Sequence, residues 1–460
     1  MSNICRDFIM RQCFSMGPPV AEPGVYRIED FQIEASPTSY VAPSSDFVRK
    51  VMETYATRIV LMGFGLATTV IVARILGPEG RGLYAVGAAT GMLGVQFGNL
   101  GMHTANVYHV ARDPALLDRL AGNSIAVSFG VGGMLAIFLA VIFLLYPNLI
   151  SLHGSALFLA LIWIPFGLAY LLIQSLMLGL HDVRGYNLFE MVSRVLPLVL
   201  IGAMAWIGLG GVASFLAAGV VTLIVTCMWM WRRLVGPNGA RPSVSLPLFR
   251  GSIRYAIKAY LAAFFAFLVL RADLFMVEHM RGAEQAGYYS IAASMADYVS
   301  VIAAIVGTIL FPKLSAMKEI GPKLRLTYKA VWATVGLLLP ILAAAAFLAK
   351  PVVRLLFGAA FLPTSQAFVL LMPGMLFLGM NTVAVQFLNS IGYPKSVVII
   401  WGLCTIFNIG LNFWAIPRYG IAGASAVSSL SYFLAFFFIL QEIRVIGLKL
   451  RSLDVSTMIV

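Results

Sequence analysis

Two opposite charges stand deep inside one apolar stretch of this chain. Arg271 and Asp273 lie in LVLRADLFM, residues 268–276, and Asp297 lies well inside the next apolar stretch. Charged side chains are costly inside a membrane helix, so they usually face the interior of a helix bundle or a water-filled cavity. Arg271 could therefore bind an anionic substrate in a cavity, or it could form a structural ion pair with Asp297. The sequence leaves both interpretations open.

The two deep carboxylates have different expected roles. Asp273 is two residues from Arg271 and projects from another face of the same helix, so the two charges do not simply neutralise one another. Asp297 could bind a coupling cation or a proton, or it could be the partner of Arg271. We favour the pairing for Asp297 and keep both acids as candidate residues of a substrate-binding cavity.

Three further arginines are candidate cavity residues. Arg194 follows Glu190 by four residues, which is the spacing of an ordinary intrahelical ion pair. Arg58 and Arg74 stand at the two ends of the first apolar stretch, and we expect them to reach the two membrane interfaces. Their separation also lets both face a cavity.

The sequence shows no pattern that is typical of an enzyme. Its five histidines are dispersed, and it contains no clustered carboxylates and no P-loop, GxSxG or HExxH pattern. The cysteines Cys5, Cys13, Cys227 and Cys404 do not have the spacing of metal ligands. We therefore expect no catalytic activity, no metal and no cofactor, which leaves binding and passage as the chemistry of the deep charges.

Long apolar segments must position these residues. The chain of 460 residues is 60% hydrophobic and 11% charged, with a mean hydropathy of +0.91, whereas about 25% of the residues of soluble domains are charged. A bilayer core of about 30 Å needs about 20 apolar helical residues per crossing, and roughly twelve such segments follow one another. Because lipid cannot satisfy an open sheet edge, we predict an all-α polytopic membrane protein with about twelve transmembrane helices.

The predicted helices form two lobes of about six helices each. The N-lobe spans residues 49–231, the C-lobe spans residues 259–443, and a basic cytoplasmic connector joins them at residues 232–258. Residues 1–48 contain several prolines and lack a helical period, which predicts a disordered cytoplasmic tail. Residues 444–460 form a second cytoplasmic tail in this scheme.

The two lobes are internal repeats. GPEGRGLY (77–84) and GAEQAGYY (282–289) share the pattern G-x-E-x-x-G-x-Y near the start of each lobe, and GLGG (208–211) and GIAG (420–423) stand near the ends. Matches at corresponding places in the two halves indicate a duplication. We expect parallel repeats that point the same way across the membrane.

The net charge of +13 follows membrane topology and does not indicate a nucleic-acid partner. Lysine and arginine gather in alternate connections, and the connector at 232–258 holds cations without an acid. Positively charged connections stay on the cytoplasmic side, so both termini should be cytoplasmic and the two G-x-E-x-x-G-x-Y motifs should face outside. The connector could also lie on the membrane surface and attract anionic lipid.

Several stretches resemble the oligosaccharide flippases of the polysaccharide biosynthesis family. The most specific is NIGLNFWAIPRYGIAGASAVSSLSY (408–432), and ARILGPEGRGLYAV (73–86) and residues 271–299 are also similar to that family. Shorter matches are LFPKLS (310–315) and LNSIGYPK (388–395). The family belongs to one superfamily with the multidrug and toxin extrusion (MATE) transporters and the lipid II flippases.

The resemblance implies a V-shaped pair of lobes around a central cationic cavity. This cavity would open alternately to the two sides and carry the sugar and pyrophosphate head of a polyprenyl-linked oligosaccharide, while the lipid tail stays in the membrane. Asp273 and Asp297 match the acids of the family's seventh and eighth helices. Ser294 stands where the family often has a basic residue, which gives Arg271 more weight.

The resemblance also implies a place in cell-surface polysaccharide synthesis. The implied location is the bacterial cytoplasmic (inner) membrane, and the implied product is an O-antigen, a capsule or an exopolysaccharide. A polymerase or a glycosyltransferase would be the protein partner.

Two other function classes compete with this interpretation. A MATE-type antiporter of organic cations would need an acid-rich cavity, and Arg271 offsets the two acids that this chain offers. A membrane polymerase or ligase would carry a large outside loop with arginines, and the sequence contains none.

Overall fold

A computed structural model describes the chain in residues 45–236, 241–392 and 394–457. The side chains of residues 45–59, 183 and 449–457 are not described. Most of the predicted N-terminal tail, residues 1–44, therefore lies outside the described residues, and helix already begins at Ser45.

The described residues form helices and short helical turns, without a strand. The helices are α1 (Ser45–Asn99), α2 (Met102–Arg112), α3 (Leu117–Ala126), α4 (Gly132–Leu145), α5 (Gly154–Gly179), α6 (Val183–Trp206), α7 (Val212–Val235), α8 (Leu246–Arg281), α9 (Ala283–Ala316), α10 (Ile320–Phe347), α11 (Ala349–Leu356), α12 (Thr364–Asn389) and α13 (Lys395–Thr457). Ten helical segments of the described part of the chain are long and apolar enough to cross a membrane. The predicted all-α polytopic fold is confirmed.

Two of these segments each contain two predicted crossings that meet at a glycine. Gly77 breaks α1 with φ 67° and ψ −176°, and Gly420 breaks α13 with φ 58°. Gly282, between α8 and α9, has φ 87° and ψ 170°. Gly77 and Gly282 open the two repeated motifs with nearly the same backbone conformation, and left-handed φ values of this kind favour glycine. The sequence match therefore reflects a matching turn.

Two helical pieces differ from the sequence prediction. α8 begins at Leu246 rather than at Ala259, so the second half of the predicted connector is helical. Pro247 stands in its first turn, where a proline costs no hydrogen bond. α11 (Ala349–Leu356) was not predicted, because its eight residues are too few for a crossing and two of them are basic.

The helices pack into a large apolar core and smaller ones beside it. The largest buried cluster lies mostly in α8 to α13 and continues into α1 and α7 through Val86 and Leu216. A second cluster, around Leu120, Phe189 and Met230, holds α3, α5, α6 and α7 together. Each half thus has apolar packing of its own, and α1 joins the N-lobe to the C-lobe.

Candidate functional site

Arg271 on α8 and Asp297 on α9 form an ion pair between two helices. The guanidinium Nη2 lies 2.6 Å from Oδ2 of the carboxylate, and the two side chains remain 31% and 37% exposed. Both residues stand well inside helices that are long enough to cross the membrane. The interhelical pair that the sequence offered as one alternative is therefore formed, and it stays partly open.

Residues from both halves surround this pair. Tyr298, the neighbour of Asp297 on α9, lies against α1, with its hydroxyl 3.4 Å from where a Cβ of Gly65 would stand. The same hydroxyl interacts electrostatically with Arg81 on α1, Arg194 on α6 and Asp297. Side chains from α1, α6, α8 and α9 thus converge between the lobes. This convergence defines the candidate site.

Asp273 occupies a different place from its neighbour Arg271. Its side chain is only 1% exposed, and its carboxylate accepts hydrogen bonds from the Tyr289 hydroxyl, from Ser428 Oγ at 2.7 Å and from the Leu274 backbone at 2.9 Å. These donors come from α8, α9 and α13. The carboxylate therefore joins three helices inside the C-lobe, where a hydrogen-bonded charge is tolerated.

Arg74 connects the two halves away from the ion pair. Its guanidinium donates to the backbone carbonyls of Leu355 and Leu356, at 2.5 and 2.6 Å, at the end of α11. The carbonyls at a helix C-terminus are otherwise unpaired and carry partial negative charge, which suits a cation. Arg74 thus ties α1 to the short helix that the sequence did not predict.

The other two candidate arginines have fewer described contacts. Arg194 is exposed, and within the described residues it does not form the ion pair expected with Glu190. Arg58 lies in α1, but its side chain is outside those described. The structure therefore places Arg194 within electrostatic reach of Tyr298, the neighbour of Asp297, holds Arg74 elsewhere and leaves Arg58 to the sequence.

The repeated motifs cross each other directly. A Cβ on Gly82 would overlap the carbonyl oxygen of Ala283 and stand 2.7 Å from its carbon. A Cβ on Gly287 would overlap the carbonyl oxygen of Pro78 in the same way and stand 2.9 Å from its carbon. Gly82 and Gly287 are the sixth residues of their motifs, and Pro78 and Ala283 are the second residues. We call this two-fold symmetric backbone contact the glycine crossing.

Other hydrogen bonds join the two halves at the same end. Glu278, at the end of α8, accepts the backbone N–H of Ser151 in the N-lobe at 2.7 Å, and Arg74 reaches α11 as described. The glycine crossing and these contacts join the two halves at the end of the helix bundle that carries the motifs.

Arg81 and Tyr298 are site residues that the sequence did not single out. Arg81 is buried, with 6% of its surface exposed, although it stands in a motif between two apolar segments. Tyr298 follows Asp297 directly, and no sequence pattern indicated a role for it. The signal that could have found Arg81 is its position inside a repeated motif, since a motif that packs against its own copy removes its residues from solvent.

The chain has relatives among membrane proteins of known sequence. A family model described as "Polysaccharide biosynthesis protein" matches residues 71–366. The "Uncharacterized membrane protein MJ1068" of Methanocaldococcus jannaschii is 26% identical over 231 residues, which are 49% of this chain and 45% of that protein. The chain thus matches less than half of that relative's length.

Solved structures with the same fold are transport proteins. "Lipid II flippase MurJ, inward closed conformation" superposes with a TM-score of 0.69 at 15% identity, covering 85% of this chain and 87% of the other. An inward-facing multidrug resistance MATE family transporter of the MOP superfamily gives 0.68 at 16% identity, with 85% and 95% covered. At such low identity these likenesses establish the fold, which is the fold that the sequence resemblance implied.

Proposed function

Because the chain belongs to the polysaccharide biosynthesis protein family, we propose that it moves a lipid-linked oligosaccharide across a membrane. The substrate class is a polyprenyl-pyrophosphate-linked oligosaccharide for cell-surface polysaccharide synthesis. The observation that carries the proposal is the partly open Arg271–Asp297 pair between α8 and α9. It stands beside Tyr298, with which Arg81 and Arg194 also interact electrostatically. This surplus of cations suits an anionic head group rather than a cationic drug.

A pyrophosphate head needs such a site in order to cross. Moving an ion out of water into hydrocarbon is prohibitive unless the ion is paired or hydrated, and the hydrocarbon layer is about 30 Å thick. Guanidinium groups bind phosphate oxygens in a planar, bidentate geometry. A basic, hydrated space between the lobes therefore offers the head group a route while the polyprenyl tail remains in lipid.

Each candidate residue receives a role in this proposal. Arg271 and Arg194 bind the head group, and Asp297 pairs with Arg271 until the head group arrives and competes for the guanidinium. Asp273 holds α8, α9 and α13 in position and so acts on substrate binding from a distance. Arg74 stabilises the closed arrangement at the motif end, and Arg58 is proposed as a cavity residue on its sequence position.

Transport then requires the glycine crossing to open. The N-lobe and the C-lobe would rotate apart at the motif end, which we place outside because lysine and arginine gather on the opposite side. Both termini would be cytoplasmic, in the cytoplasmic membrane of a bacterium. A polymerase or glycosyltransferase would act on the substrate before or after its passage.

The proposal is tested by following the lipid-linked intermediate in cells that depend on this chain. Arg271→Ala should lower the outward-accessible fraction about tenfold, which corresponds to about 1.4 kcal/mol, and Arg271→Lys should restore part of it. Asp297→Asn should be the milder change because it keeps the cation. Arg418→Ala, which removes an exposed arginine stacked on Trp414, is the matched control.

Other outcomes would replace the proposal. Normal export by Arg271→Ala and by the double variant Arg271→Ala/Asp297→Asn would make the pair purely structural. Loss of the protein that leaves export intact but raises sensitivity to organic cations would favour a MATE-type antiporter, for which the buried acid Asp273 would be the coupling residue.

A further inference from the structure

We infer that Arg81 is a further anion-binding residue, placed at the motif end of the space between the lobes. The inference rests on the proposed function and assigns a specific partner to the substrate: the pyrophosphate of the head group meets Arg81 as it leaves. Arg81 would then act after Arg271 and Arg194, at the point where the closed end opens.

The first observation is that Arg81 is buried without a matching acceptor. Its side chain is 6% exposed, and its Nε has no hydrogen-bond partner. Among the described residues it forms no ion pair, and Glu79, the acid of the same motif, is exposed. A buried charge without a partner is strongly unfavourable. An anion that binds during part of the transport cycle would therefore stabilise the Arg81 guanidinium.

The local structure does not supply that partner. The guanidinium carbon of Arg81 lies 5.5 Å from the ring centroid of Tyr84, which is a cation–π contact. The free energy by which such a contact stabilises the guanidinium is smaller than the cost of burying its charge. Tyr84 can hold the guanidinium in place, but the hydrogen-bonding N–H groups still lack a carboxylate or phosphate.

The second observation is the position of Arg81 between the glycine crossing and the ion pair. It precedes Gly82 in the chain, so separation of the Gly82 and Ala283 backbones uncovers it. Arg81 also interacts electrostatically with Tyr298, and Tyr298 interacts in turn with Arg194 and Asp297. An anion that moves from the middle of the space toward the motif end therefore passes from one guanidinium to the next.

The test measures binding of inorganic pyrophosphate to the purified full chain in lipid nanodiscs by isothermal titration calorimetry. Arg81→Gln should raise the dissociation constant about tenfold relative to wild type, because it removes one charge-assisted contact. Arg81→Lys should raise it less, since the charge remains but the bidentate geometry is lost. Arg418→Gln, on an exposed arginine with its own cation–π contact to Trp414, should bind as wild type does.

A thermal-unfolding scan without ligand separates binding from a structural role. If Arg81 serves the substrate, Arg81→Gln leaves the unfolding midpoint unchanged or raises it, because a buried unpaired charge has been removed. A lowered midpoint together with wild-type pyrophosphate affinity would overturn the inference and make Arg81 structural. Should Arg81→Gln yield no monodisperse protein, Arg81→Met replaces it, because methionine fills the space without a charge. The same changes in pyrophosphate affinity and unfolding midpoint are then expected of Arg81→Met.

The same titrations distinguish failure of this inference from failure of the proposed function. If the wild-type chain binds no pyrophosphate, the anionic substrate itself is wrong. If Arg271→Gln weakens binding while both Arg81→Gln and Arg81→Met leave it unchanged, the proposed function stands and the role of Arg81 is refuted.

Discussion

Gly82→Ala is the sharpest test of the glycine crossing. The new Cβ would stand 2.7 Å from the Ala283 carbonyl carbon and overlap its oxygen, whereas ordinary contacts begin at 3.4 Å. The carbon alone requires the α1 and α9 backbones to separate by 0.7 Å, the difference between 3.4 and 2.7 Å, and the closer oxygen requires more. Because the obstacle is backbone, no rotamer change can relieve it.

The expected effect follows from the cost of overpacking. An added methyl group in a tight contact typically costs about 1–3 kcal/mol, and a bias of that size changes the ratio of two conformations about 5- to 150-fold. The closed end should thus lose population to an open arrangement. Gly287→Ala should act in the same way through Pro78, and the double variant should fall short of additivity because both changes break one contact.

Spin labels at Glu79→Cys and Glu284→Cys, in a background without native cysteines, report the separation of the motifs. Both positions are exposed, and each is the third residue of its motif. Gly82→Ala should shift the distance distribution to longer values. Gly63→Ala is the matched control on α1, because its Cβ would meet nothing within 4 Å. An unchanged distribution and unfolding midpoint in Gly82→Ala would refute the reasoning.

Three further predictions concern the contacts around the site. Arg74→Gln should lower the free energy of unfolding by about 1–3 kcal/mol, because the carbonyls of α11 lose their donor. A lower unfolding midpoint and faster proteolysis near α11 would show this. Tyr289→Phe removes one hydrogen bond from the Asp273 carboxylate and should destabilise the C-lobe by about 1–3 kcal/mol, in denaturation monitored in detergent; an unchanged midpoint would contradict the buried network. Hydrogen bonds from Arg233 hold the pKa of Asp182, in the loop before α6, below its usual 3.8. The stability that this ion pair contributes is present above pH 3.8 and is lost as pH falls through the lowered pKa. The difference in unfolding midpoint between wild type and Asp182→Asn should therefore vanish in acid.

The sequence predicts the parts of this fold that depend on composition and period. Apolar segment length predicts the crossings, because a bilayer demands about 20 residues from each. Repetition of the motif predicts the duplication, and Gly77 and Gly282 have nearly the same backbone conformation at the start of the two copies. The deep charges were found because a charge inside an apolar run is rare, and one of the two interpretations of Arg271 was the ion pair that is formed.

The remaining features depend on contacts between distant residues. α11 is too short for a hydropathy signal, and the charges at the start of α8 hide its helical continuity. Burial of Arg81 follows from the packing of α1 on α9, and only the repetition of the motif, 205 residues apart, indicates that contact. The expected Glu190–Arg194 pair shows the converse, since correct helical spacing does not oblige an exposed arginine and a half-buried glutamate to meet when the net gain is small.

The glycine crossing also bears on the ancestry of the chain. A contact in which the sixth residue of each motif meets the second residue of the other is the self-complementary geometry of a two-fold dimer. A single six-helix unit paired with its own copy would form the same contact. In such a dimer an arginine at the fifth position would have brought two like charges close to the axis. A single chain that carries both copies can hold Arg81 in one half and Ala286 in the other, so only one charge lies at this contact.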